Sequence, residues 1–159
     1  MQSTIRVLGV DIGDRTRAIE TLGASHDDIS VSLEPDARSA ISSLESDRDR
    51  YDCLVSVHAP PESDAVEQYR RFKRRLAARV PPFVVFAETG AEGAAIEAMN
   101  AGVDGYVRAE APGDAERLHD RIRATVDQRE AEVWRLRRRH DRLETFRSVV
   151  SHDLRTPLS

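Results

Sequence analysis

Lysine is nearly absent from this sequence. Lys73 stands alone in a set of 24 lysines and arginines spread over 159 residues. Cysteine and tryptophan occur once each, as Cys53 and Trp134, and aromatic residues make up only 5% of the chain. A lone cysteine excludes an intrachain disulfide and a cysteine-rich zinc site, and its place inside an apolar run marks Cys53 as a small core residue. Long apolar runs are missing too. None approaches the roughly 18 residues that a membrane-spanning helix needs, and the opening stretch from Met1 to Arg6 has no signal-peptide character, so no membrane span and a cytoplasmic address are expected. Nor does charge of one sign dominate. A formal net charge of −4, with acids and bases interspersed, points to neither a nucleic-acid nor an anionic-lipid partner.

What is present suits a folded domain: 40% hydrophobic and 33% charged residues are too apolar for disorder and too polar for a bilayer. The length fits one core and a short appendage. Ile5 to Val10 is a β-branched run ending at the turn-rich Asp11-Ile12-Gly13-Asp14, and a helical stretch continues through Leu22. A second strand is predicted over Ile29 to Leu33. Ala37, Ala40, Ile41 and Leu44 then recur at helical spacing, with Pro35 suited to the first helical turn. Tyr51 to Val57 is almost continuously apolar, as in a strand buried on both faces, and Pro60 and Pro61 end it. A helix from about Glu62 to Ala78, a strand over Pro82 to Phe86, a helix from Ala91 to Ala101 stopped by Gly102, and a short strand over Asp104 to Val107 complete the alternation. Strands alternating with helices indicate βαβ units, hence an α/β fold with a doubly wound, five-stranded parallel sheet.

From Pro112 no further strand is predicted. Leu118, Ile122, Val126, Val133, Leu136, Leu143 and Val150 mark one long C-terminal helix whose steps of three, four and seven resemble heptads. Arg129, His140 and Arg147 fall on the same seam, with Phe146 beside it. A homodimer through this helix is expected, though the seam specifies it poorly. Trp134 to Arg142 is basic, but Glu130, Glu132, Asp141 and Glu144 interrupt it, which suits a solvated linker face.

The phrases Tyr51 to Val57, Pro82 to Phe86 and Ala98 to Val107, in this order and spacing, resemble the receiver domains of response regulators, over roughly residues 4 to 126. The resemblance implies a flavodoxin-like sheet with its chemistry at the carboxyl ends of the strands. Active receivers gather two acids, an acceptor aspartate, a hydroxyl and a lysine there, around Mg²⁺. This chain keeps Asp11, a weak residual metal candidate, but has Ile12 at the second acid, Val57 at the acceptor, Ala87 at the hydroxyl and Ala109 at the lysine. Phosphate uptake in the receiver-like domain is therefore not expected. Asp52, Asp64 and Thr89 are poor substitutes by position.

The stretch Ser151-His152-Asp153-Leu154-Arg155-Thr156-Pro157-Leu158 resembles the phosphoacceptor box of sensor histidine kinases. It implies His152 as phosphoacceptor, Asp153 as orienting carboxylate or general base, and Thr156 as the phosphatase-position hydroxyl. A neutral imidazole is a competent nucleophile near neutral pH, and an adjacent carboxylate can orient it. Pro157 would bend or weaken the helix past the reactive turn. His26, His58, His119 and His140 have no evident carboxylate or histidine partner in the sequence and are assigned ordinary surface or partly buried roles.

The expected organisation is a degenerate receiver-like domain over 1–126, a linker or coiled-coil helix over 127–145, and the start of a phosphoacceptor segment over 146–159. The family's ATP-binding domain has no counterpart in the sequence. No cofactor is expected in this chain, ATP and Mg²⁺ belong to the missing domain, and the chain alone should be catalytically silent. Truncation of a longer kinase is expected, with a cognate response regulator as partner. The alternative is a stand-alone adaptor that binds a partner through the receiver-like domain and dimerises through its terminal helix.

Overall fold

A computed structural model describes residues 4–10, 17–47, 49–60, 63–87, 93–110 and 113–155, with 17–18 and 140–155 described as backbone only. The elements run β1 (Ile5–Val10), α1 (Arg17–Ser25), β2 (Ile29–Glu34), α2 (Ala37–Ser46), β3 (Cys53–His58), α3 (Ala65–Leu76), β4 (Phe83–Ala87), α4 (Ala94–Ala101), β5 (Gly105–Arg108) and α5 (Asp114–Arg155). A short 3₁₀ turn, Ala77–Arg79, follows α3. The chain divides into two compact units, Met1–Val126 and Asp127–Ser159.

All five strands are parallel, in the order β2-β1-β3-β4-β5. Side chains alternate across a strand, so each apolar strand feeds two cores. Leu8, Leu54, Phe83 and Val85 pack with Ile41 and Leu44 of α2 and Val66, Tyr69 and Phe72 of α3. Val7, Cys53, Val55, Val84 and Phe86 pack on the other side with Ile19 and Leu22 of α1 and Leu118, Ile122 and Val126 of α5. This double coverage explains why β3 and β4 are buried at every position and read as unbroken apolar runs. Cys53 is fully buried, and burial pushes its thiol up. β1 has β2 on one side and β3 on the other, so the order reverses between β1 and β3, where doubly wound sheets open a crevice at their carboxyl ends.

Helix starts differ from the sequence reading where a side chain or a turn sets the boundary. Pro35 lies outside α2. Asp36 is the N-cap, its Oδ1 accepting the Ser39 N–H at 2.7 Å. α3 begins at Ala65, later than expected, because Ser63 pairs back onto Ala59 and Asp64 caps the helix through the Glu67 N–H at 3.1 Å. α4 starts at Ala94 after Gly93 at φ 81°, and it stops at Gly102, φ 99°, whose N–H reaches the carbonyls of Ala98 and Met99 at 3.1 Å. Such left-handed caps favour glycine.

Candidate functional site

Val57 lies next to last in β3, paired in register with Phe86 of β4. It is completely buried within the apolar cluster that includes Phe86 and Val107. Ala87 closes β4, and Ala109, just beyond β5, donates its N–H to the Ala87 carbonyl at 2.7 Å. The sheet thus carries Val57, Ala87 and Ala109 to the carboxyl ends of β3, β4 and β5. A carboxylate, a hydroxyl and an ammonium would be needed there to receive and hold a phosphoryl group; this chain presents only hydrocarbon at those positions.

Side-chain cross-links surround that apolar patch. Val57 O accepts the Ser63 hydroxyl at 2.8 Å, and the Ala59 and Ser63 backbones exchange bonds of 2.9 and 3.1 Å, closing a tight loop between β3 and α3. His58 is buried, and its Nδ1 accepts the Ala65 N–H at 3.2 Å. The same Nδ1 lies 3.7 Å from Asp64 Oδ1. Two residues upstream of His58, the buried Ser56 hydroxyl donates to Gln68 Oε1 of α3. The sequence reading gave His58 an unspecified surface or partly buried role. Its partner is a backbone group that only the fold brings near.

A second cluster forms where Asp28 leads into β2. Ile5 N donates to the Asp28 carbonyl at 2.8 Å, which fixes the turn at the amino ends of β1 and β2. The Asp28 carboxylate meets His119 Nε2 of α5 at 2.9 Å and also bonds the Arg123 guanidinium. The His119 bond, aided by the charges of His119 and Arg123, holds the carboxyl below its ordinary value. The His26 ring stacks on His119, centroids 4.1 Å apart and planes inclined by 14°, while His26 Nδ1 lies 3.2 Å from Leu22 O and His119 Nδ1 lies 3.3 Å from Asp120 Oδ1. The absence of partners assigned to His26 and His119 is therefore corrected: residues remote in sequence make this cluster, and no spacing motif announces it.

The other residues singled out by sequence are distributed as follows. Asp11, Ile12, Thr89 and Thr156 lie outside the described residues. Ser151, His152, Asp153, Leu154 and Arg155 lie on the α5 backbone, and their side chains are outside the described set, as are those of His140, Leu143, Phe146, Arg147 and Val150. Val133 and Leu136, expected on the seam, are exposed, as is Trp134, over whose ring the Arg138 guanidinium lies at 4.5 Å. Among the described residues, no group of three or more His, Cys, Asp and Glu could hold a metal ion, and no helix is long and apolar enough to cross a membrane.

No protein-family model matches the chain, and no curated protein matches it in sequence. Solved structures do match. A response regulator receiver domain from Clostridium thermocellum superposes with a TM-score of 0.61 at 15% identity, covering 80% of this chain and 98% of that one. A LuxR-family two-component response regulator from Aurantimonas sp. SI85-9A1 gives 0.63 at 23% identity, over 79% and 87% of the two chains. A response regulator receiver protein from Burkholderia phymatum gives 0.61 at 21%, over 78% and 96%. The fold of this chain is the five-stranded α/β fold of receiver domains, followed by a long C-terminal helix.

Proposed function

We propose that this chain is the front part of a two-component sensor histidine kinase: a receiver-like input or interaction module, without phosphoryl chemistry of its own, joined through α5 to the phosphoacceptor His152. The observation that carries the proposal is the unbroken box from Ser151 to Leu158. Its length as a contiguous match makes coincidence improbable in a way that a spaced two-residue motif does not.

In this reading a ring nitrogen of His152 attacks the γ-phosphorus of ATP as ADP leaves, and the Asp153 carboxylate orients the imidazole through its other nitrogen. Thr156, four residues on from His152 in sequence, would position water for dephosphorylation of the phosphorylated partner regulator. ATP and Mg²⁺ would be held by an ATP-binding domain outside this sequence, so the isolated chain should take no phosphate from ATP. The segment 127–145 would act as the linker, its exposed Val133 and Leu136 covered by a second copy.

The test is to join the chain to the second phosphoacceptor helix and ATP-binding domain of a histidine kinase and supply Mg²⁺-ATP. Label that is lost in acid, persists in base and disappears in His152→Gln supports the reading. Label that survives His152→Gln refutes it. A complete lack of label, with partner binding retained by residues 1–126, favours the adaptor alternative.

A further inference from the structure

α2 and α3 pack side by side on one face of the sheet and leave a groove of about 620 Å³ between them. Arg38 on α2 and Arg71, Arg74 and Arg75 on α3 line it, with Ile41 and Glu45. Four guanidinium groups thus face a single carboxylate, on a chain whose formal net charge is −4. The positive groove is a local feature, opposite in sign to the molecule as a whole.

Part of this charge is held only loosely. Arg75 pairs with Glu45 at 3.1 Å and Arg74 with Glu67 at 3.3 Å, all four side chains being well exposed. Pairs so exposed are weak, because solvent and salt screen them and holding two long side chains in one geometry costs entropy. Arg38 and Arg71 make no ion pair among the described residues, although their charges, after the Ser39 hydrogen bonds, help hold the nearby Asp36 carboxyl below its ordinary value. The groove therefore offers two guanidinium forks outside any ion pair and two that already grip carboxylates, the geometry such forks match best.

From this charge complementarity we propose that the α2–α3 groove docks an acidic peptide segment of a partner protein. Size agrees. The 10 residues of α2 span about 15 Å, enough for about five residues of extended peptide. Nucleic acid fits less well. The groove lining contains no aromatic side chain on which a base could stack, and a phosphate at every step of a backbone would meet Glu45. A peptide can space its acids to avoid that carboxylate.

The experiment uses the whole chain and a fluorescein-labelled peptide of alternating glutamate and leucine, read by anisotropy at low ionic strength. Saturable binding is expected, weakened at least about tenfold by the double substitution Arg71→Glu with Arg74→Glu and left unchanged by Arg79→Glu, which lies outside the groove. If the charge-reversed chain has lost its circular dichroism, the pair Arg71→Gln and Arg74→Gln decides instead, with a loss of about threefold or more expected. Absence of saturable binding, or binding indifferent to these arginines, overturns the proposal. So does a single-stranded oligonucleotide that displaces the peptide at lower concentration than an unlabelled copy of the peptide does, which would make the groove a nucleic-acid site.

Discussion

Substituting Val57→Asp restores the residue type found in active receivers and, by the present account, restores nothing else. Val57 is fully buried among Phe86, Val107 and other apolar groups. Losing its burial costs roughly 2 kcal/mol, and seating a carboxyl there without a cation adds roughly 2 kcal/mol more, even after its pKa rises to reduce the charge. A loss of about 4 kcal/mol, with a urea dependence of roughly 1.5 kcal/mol per molar, lowers the unfolding midpoint by about 2–3 M. Folded domains have only about 5–15 kcal/mol to lose, so the variant should be marginal but measurable. The sign of the pH effect is fixed. A buried carboxyl with a raised folded pKa begins to destabilise above its ordinary pKa and does so fully above the raised one, so the deficit should shrink as pH falls into the ordinary carboxylate range. Val57→Asn, neutral and of the same shape, should lose less at neutral pH and show no such dependence. Incubated with acetyl phosphate and Mg²⁺, Val57→Asp should still take up no phosphate, because Ala87 and Ala109 supply neither hydroxyl nor ammonium. A wild-type midpoint at neutral pH, or an acid-stable acyl phosphate on the variant, would refute the reasoning.

The Asp28 cluster predicts a pH dependence of the native chain. Asp28 is held below its ordinary value of 3.8, first by the His119 hydrogen bond. Its contribution is therefore fully present above that value and is lost as pH falls from there through the depressed folded pKa. Chemical denaturation across the acid range should show Asp28→Asn less stable than the parent at neutral pH, with the difference closing in acid; a constant difference would contradict the assignment. In the C-terminal helix, Leu136→Glu places a charge on an exposed seam residue. Sedimentation at high micromolar concentration should show weak self-association of the parent and none of the variant, with the thermal transition of the first unit unchanged. A strictly monomeric parent would remove the dimer from the account.

The strands were legible because burial on both faces leaves little room for polar residues. Val55 and Val84 announce themselves by composition alone. Boundaries were legible only where a residue acts locally: Gly102 was read correctly as a stop because a left-handed cap favours glycine whatever surrounds it. Pro35 was misplaced because proline suits several positions near a helix start, and the choice was made by the Asp36 side chain. β3 runs on to His58 against expectation, since a histidine ends an apolar run on paper but is satisfied in the fold by the Ala65 N–H. Val57, Ala87 and Ala109 stand at the carboxyl ends of β3, β4 and β5 as read, because these positions follow from counting along a strand or just past it. The stacked His26 and His119 could not be read, because their meeting depends on how α5 packs beside the α1–β2 corner.

One measurement bears on both the proposed inertness of the receiver fold and the proposed reactivity of His152. The chain extended with an ATP-binding domain is labelled with Mg²⁺-ATP, kept near neutral pH, and its phosphorylated residues are mapped by mass spectrometry. The account predicts a single phosphoramidate at His152 and no phosphate within residues 1–126. A phosphoramidate on another histidine with His152 unmodified, or an acyl phosphate within residues 1–126, would contradict it.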